Sequence, residues 1–240
     1  MAMGSASYKV TIAFQLVFLL VICGFNATCN GQDKKVKNDT LPRHQEDRRQ
    51  KKSDMESFDV DAYAKKLKEN PDYEGYHTKE GVEVSEYYMP DQQAPSDTFN
   101  KQWVQSYTRI EERPDGYRTA CQFDRNGRQI SVAYYFSTAL EIGKWQKFDS
   151  TGKITEEVDK DASFPFSLEK VIAFGKAHKV DFAKTGRLRR GYDSTYKADV
   201  WNLRWVADAQ GGEPYQQIYI LDGGTGRILK EYREGPPQRI

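Results

Sequence analysis

The stretch Gly143-Lys-Trp-Gln-Lys-Phe-Asp-Ser-Thr-Gly-Lys-Ile154 reads as strand, tight turn and returning strand. Trp145 and Phe148 supply β-forming bulk and Ile154 opens the return strand. Asp149 can bond main-chain groups two residues on, and Gly152 can take the positive φ that closes such a turn. The form recurs as Phe123-Asp-Arg-Asn-Gly-Arg-Gln-Ile130, and more loosely as Leu221-Asp-Gly-Gly-Thr-Gly-Arg-Ile228. A chain that repeats this unit is a set of stacked hairpins, so the fold expected is α+β with antiparallel sheets.

Working outward, strands are expected at Trp103–Ile110, Tyr117–Phe123, Gln129–Phe136, Leu140–Phe148 and Lys153–Val158, with Pro114-Asp-Gly116 as a further turn. Short strands separated by glycine turns imply an antiparallel meander. Ahead of it, Val60, Tyr63, Ala64 and Leu67 follow helical spacing, Asp59 or Asp61 sits near the N-terminus, and Asn70-Pro71 ends the helix. A hairpin turning at Lys79-Glu-Gly81 and a loop over Met89–Thr98 complete a region spanning 57–160.

A second unit is expected over 161–240. Ser167 is a candidate N-cap with Glu169 in the first turn, and Leu168, Val171, Ile172 and Gly175 make an apolar face. Lys184–Tyr192 reads as a linking stretch. In Val200–Val206, Trp201, Leu203 and Trp205 share one face of a strand, followed by strands at Tyr215–Leu221 and Arg227–Glu231. This gives a helix packed on a small antiparallel sheet.

The formal net charge of +1 over 240 residues argues against a dedicated nucleic-acid binder, and 15 Tyr, 12 Phe and 4 Trp favour sheets that bury aromatic surface. A mean hydropathy of −0.81 argues against a multi-span membrane protein. The three cysteines form no disulfide framework and no zinc spacing. No cofactor or metal motif appears, and neither does a nucleophile motif, so the expectation is a non-enzyme.

The 16-residue run Val10–Phe25 after Lys9 is short for a membrane span and fits a signal h-region. Cys29-Asn-Gly-Gln32 after it resembles the start of mature Bacteroidetes-type lipoproteins, which implies lipidation at Cys29 and a signal peptide over 1–29. Ordinary cleavage near Gly31 is the alternative. Asp33–Glu56 carries eight basic and six acidic side chains and almost nothing apolar, the composition of a charged tether over 30–56. An uncleaved anchor is the third reading. All three put the folded part outside the cytoplasm, and lipidation would hold it in the cell envelope, anchored in the periplasm or at the outer membrane.

The Phe-Asp-x-x-Gly units resemble the MORN-type repeats of YwqK-like antitoxin proteins. Trp205, Val206, Tyr215, Tyr219, Asp222, Thr225, Gly226, Arg227 and Leu229 resemble a PepSY-type pattern. Both resemblances imply a non-catalytic protein that binds a protein partner, a secreted toxin or a peptidase. A purely structural lipoprotein and an unrecognised hydrolase are the alternatives. Candidate partner-binding residues are Tyr134, Tyr135, Trp145, Arg187, Arg189 and Arg190. Trp145 is open to two readings, a core aromatic closing its hairpin or a partner-facing anchor. The three arginines read as a solvated loop or an acidic-partner contact. The aromatic run Tyr134–Phe136 must present both faces of its strand, one of them covered by the helix near 59–67 or exposed for binding.

Overall fold

The computed structural model describes residues 55–95, 98–137, 139–182, 184–207 and 213–235. The proposed lipid site Cys29 and most of the tether lie outside them. Helix α1 (Val60–Glu69) precedes seven strands: β1 (Gly75–His77), β2 (Glu83–Pro90), β3 (Val104–Glu112), β4 (Tyr117–Asp124), β5 (Gln129–Phe136), β6 (Leu140–Phe148) and β7 (Ile154–Asp159). Helix α2 (Leu168–Ala177) then leads into β8 (Arg187–Asp193), β9 (Ala198–Ala207), β10 (Tyr215–Asp222) and β11 (Ile228–Glu234). The first sheet is a meander in strand order β1 to β7, and the second runs β11-β10-β9-β8. Every pairing is antiparallel. Among the described residues no helix is long and apolar enough to cross a membrane.

Three hairpins of the meander share the turn expected from the repeat. The first residue of the turn donates to a carbonyl four residues on (Arg113 to Tyr117, Asp124 to Arg128, Asp149 to Lys153) and accepts from a glycine three residues on. Those glycines, Gly116, Gly127 and Gly152, have φ of +85°, +78° and +87°. Asp124 Oδ1 also accepts from the N–H groups of Asn126 and Arg128, and Asp149 Oδ1 from those of Thr151 and Lys153. Thr78–Gly81 closes the β1–β2 hairpin in the same way. The looser copy at Asp222 holds too, one residue longer, with Gly226 N–H donating to the Asp222 carbonyl. A left-handed residue at the end of a tight turn adds a bulge that matches the twist of the flanking strands.

Gly127 shows how the turn reaches the core. Its carbonyl accepts from Phe58 N–H at 2.9 Å, which ties the chain before α1 to the β4–β5 turn. Phe58 then stacks on Tyr107 (4.8 Å between centroids) and lies against Tyr63 and Phe123. Together with Val104, Cys121, Val132 and Phe148 these rings form the core under α1. Asp59 caps α1 by accepting from Ala62 N–H at 2.9 Å, and Asn70 ends the helix. The buried carboxylate of Glu86 is satisfied by the Tyr73 hydroxyl (2.6 Å) and Lys66 Nζ (3.0 Å), which pins α1 to β2.

A second core joins the two sheets. Phe136, Leu140 and Ile142 of the meander pack with Leu168 and Val171 of α2 and with Trp201, Leu203, Trp205, Tyr219 and Leu221 of the small sheet. Each buried large apolar side chain contributes roughly 1.5–3 kcal/mol, so regions 57–160 and 161–240 are held together by a shared interior.

Several local expectations are corrected. Residues 187–192 form strand β8, not a loop, because Leu188 alternates inward to the shared core. Met89 and Pro90 continue β2, and a single 3₁₀ turn spans Lys101–Trp103 where the strand was expected to begin. Ser167 occupies the N-cap position of α2 without making a side-chain cap bond. Phe136 is covered by the small sheet and α2 rather than by α1.

Gly127→Ala should destabilise the protein by about 3 kcal/mol in urea denaturation, since the left-handed conformation penalises a Cβ and that Cβ would fall 2.2 Å from the Phe58 carbonyl oxygen. Gly191→Ala, with nothing within 4 Å, should stay within about 0.5 kcal/mol. The turns also set an acid limb. Hydrogen bonds from the Thr151 hydroxyl and then from the main chain hold Asp149 below its ordinary 3.8, and Thr225 does the same for Asp222. Depressed folded-state values add stability above 3.8 that is lost as pH falls through the lower folded values. The double variant Asp149→Asn/Asp222→Asn should therefore show a shallower loss of stability in acid than the parent.

Candidate functional site

Cross-strand pairing separates the two faces of the meander. Tyr107, Phe123, Cys121, Val132 and Phe136 share the face that meets the two cores. On the other face, Ile110 pairs with Ala120 and Ala120 with Ala133, while Trp145 pairs with Val158. Tyr87, Arg118 and Tyr135 lie on this face as well, through the Tyr87–Thr108 and Arg118–Tyr135 pairs. Of these residues, none belongs to a buried cluster, and Tyr87 and Val158 are 44% and 42% exposed. An uncovered sheet face with aromatic and aliphatic side chains among charges has the make-up of a protein-contact surface.

A bulge sets the position of Trp145. Val132 pairs with Gln146 but Tyr134 with Ile142, so a step of two residues on β5 is matched by four on β6. Gly143 absorbs the surplus at φ +64°, a conformation that favours glycine. Its N–H donates to Asp161 Oδ2 (3.0 Å) and its carbonyl accepts from Lys160 N–H (2.9 Å). The Trp145 indole N–H bonds the Tyr134 carbonyl at 3.1 Å, its ring lies 5.1 Å from that of Tyr135, and Lys160 Nζ stands 4.1 Å over its face. Trp145 is half-buried and lies outside every buried cluster, so it is not part of either core. Burial and then the nearby Glu141 carboxylate push the Tyr135 hydroxyl up to about 12, so it stays protonated and available as a donor.

The same face runs into a cleft of about 710 Å³ between the start of β6 and strand β8. Lys160, Arg187, Arg189, Arg190 and Arg204 line it, against the single carboxylate of Glu141. Lys160 pairs with Glu141 at 2.7 Å and so sits at the seam between the aromatic face and the cleft. Arg204 lies 3.5 Å from Glu234. Arg187 donates only to the carbonyls of Lys184 and Gly186, and among the described residues neither Arg187 nor Arg189 has an ion-pair partner.

Of the residues expected to contact a partner, Tyr135 and Trp145 meet on the open face, and Arg187 and Arg189 line the cleft. Tyr134 projects from the opposite face, 36% exposed, and reaches Trp145 only through its carbonyl. Arg190 has an internal task. Its side chain is 7% exposed, bonds Asp161 (2.8 Å) and the carbonyls of Glu141 (2.5 Å) and Lys160 (2.7 Å), and lies over Phe164 and Trp201. It clamps β8 to the β6 bulge. The alternation of Arg187-Leu188-Arg189 carried the signal that this segment is a strand. Nothing in sequence brought Lys160, Glu141, Asp161 or Arg204 to the site, because each arrives through tertiary packing.

Elsewhere, Cys121 is buried and its thiol is pushed up to about 12 by burial and then by nearby Glu56. His178 caps α2, donates Nδ1–H to the Phe174 carbonyl at 2.8 Å and stacks on the Phe174 ring. No group of three or more His, Cys, Asp or Glu side chains gathers as a metal site among the described residues. No protein-family model matches the chain, and no curated protein matches it either.

Arg190→Leu should lower stability by about 2–4 kcal/mol, because it removes a charge-assisted network from a nearly closed site. Arg189→Gln, on an exposed side chain, should stay within about 0.5 kcal/mol. Denaturant midpoints of the two variants check the contrast.

Proposed function

We propose that this chain is a non-catalytic cell-envelope lipoprotein, anchored through Cys29, that binds a protein partner with the open face of the meander. The observation that carries the reading is the Tyr135–Trp145–Lys160 cluster. It is a rigid aromatic pair held by a backbone bond and a cation contact on a sheet face that no core uses. Tyr and Trp present large contact area with little rotamer freedom to lose, and such residues dominate interface energetics.

The partner is an extracytoplasmic protein, either a secreted toxin that the chain neutralises or a peptidase that it restrains. The meander is MORN-like in this reading. Its support is that Asp124 and Asp149 make the same turn with the same bonds, each following a phenylalanine of the α1 core. The second unit is PepSY-like, supported by a helix packed on an antiparallel sheet and by the Asp222–Gly226 turn, where Thr225 donates its hydroxyl to Asp222 at 2.8 Å. The buried, protonated thiol of Cys121 and the internally bonded His178 also favour a binding role over nucleophilic chemistry.

Two outcomes test this. Cys29→Ser should move the protein from the detergent phase to the aqueous phase in a phase-partition assay, and metabolic palmitate labelling should be lost. Persistence of both in the variant would place the anchor elsewhere. In capture from native envelope extract and culture supernatant, one saturable partner should be retained by the parent. Trp145→Ala and Tyr135→Ala should weaken retention by at least about tenfold, the loss of one interface anchor, while each variant still unfolds in one cooperative transition. Equal retention by parent and variants would sink the reading of this face.

A further inference from the structure

We propose that the arginine cleft beside β8 is a binding site for an extended acidic peptide segment, whose carboxylates alternate along the strand to meet Arg187 and Arg189. The inference rests on the reading that the chain binds a protein, and it names the chemistry of the segment that enters the cleft.

Charge is the first ground. Five cations line the cleft against one carboxylate. Lys160 is answered by Glu141, Arg190 by Asp161, and Arg204 by Glu234. Arg187 and Arg189 carry no carboxylate partner among the described residues, and both are exposed. Guanidinium groups present paired donors whose geometry matches a carboxylate, so two unanswered ones favour a ligand with two such groups.

Shape and backbone select a peptide among anionic ligands. Among the described residues β8 is the last strand of its sheet, paired with β9. Arg187 through Arg190 of that strand line the cleft, so an extended segment can lie along β8 there. Arg187 and Arg189 are alternate residues of that strand, so their side chains fall on one face about 6.6 Å apart. An added strand repeats this spacing, and acidic residues at every second position come opposite the two arginines. The volume of about 710 Å³ fits a bound segment of a few residues, since ligand pockets span roughly 300–1,000 Å³. Phe136, Leu140, Phe164 and Leu188 give the cleft apolar walls, which suit the intervening side chains of a peptide better than a bare phosphate. Lys160 closes the seam to Trp145, so a partner lying across the aromatic face can run its acidic segment directly into the cleft.

The test uses the full chain purified in detergent and a fluorescent peptide alternating Glu and Thr over about eight residues, read by anisotropy. The Glu peptide should bind, weaken with rising salt, and lose roughly tenfold in affinity in Arg187→Gln/Arg189→Gln. The Gln/Thr counterpart should not bind, and Lys65→Gln on α1 should behave as the parent. Asn202→Asp, which puts a carboxylate directly across from Arg189 in the same cleft, should weaken binding with both arginines still present. Equal binding by the double variant and by Asn202→Asp, or binding of the Gln/Thr peptide as tight as that of the Glu peptide, would overturn the proposal. So would binding of millimolar inorganic phosphate without binding of the peptide. If the peptide binds while Trp145→Ala leaves capture of the natural partner unchanged, the reading of the aromatic face falls and the cleft stands. If capture depends on Trp145 but the peptide does not bind, the cleft proposal alone falls.

Discussion

Two hairpins of the meander each close on a carboxylate that gathers two main-chain N–H groups, with a glycine in the left-handed region at the end of the turn. Asp124 with Gly127, and Asp149 with Gly152, make this turn with nearly the same bonds and angles. The bulge it adds fixes strand register, and register decides which side chains meet the core, since a slip of one residue would exchange the faces. Phe123 and Phe148, one residue before each turn, are thereby directed under α1. The same alternation leaves Tyr87, Tyr135 and Trp145 on the other side.

The second constraint is the clamp around Asp161. One carboxylate receives the Gly143 N–H and the Arg190 guanidinium, so the β6 bulge, the chain leaving β7 and strand β8 are tied at one point. On its inner side lies the shared core around Trp201 and Phe136, and on its outer side the Trp145–Lys160 contact and the arginine cleft. The bulge that brings Trp145 outward and the arginine that joins the two sheets thus belong to one network. Their coupling explains why an aromatic cluster and a cationic cleft adjoin although their residues lie some 40 positions apart in the chain.

Local chemistry made the fold class legible in sequence. Alternation in Trp201, Leu203 and Trp205, helical spacing in Val60–Leu67 and the Asp-x-x-Gly turns are each decided by neighbours a few residues away, and each is found in the structure. The failures share one cause. Arg190 reads as a surface charge because its counterion, Asp161, is 29 residues distant. Lys184–Tyr192 reads as a linker because its charged residues mask the single inward Leu188. Trp145 was open to two readings because its face depends on the two surplus residues of the β6 bulge, which leave no trace in composition. Gly143 was the one local hint, a glycine inside an otherwise β-forming run.

The central claim is that the partner lies across the open face of the meander. Photo-crosslinking in cells tests it most directly, with benzoyl-phenylalanine replacing Tyr87, Tyr135, Trp145 or Val158 on that face. Controls replace Tyr192 and Ile228 of the small sheet, which are 68% and 45% exposed. The account predicts one adduct of common mass from the four face positions and none from the two controls. Adducts from the controls alone, or the same adduct from all six positions, would contradict it.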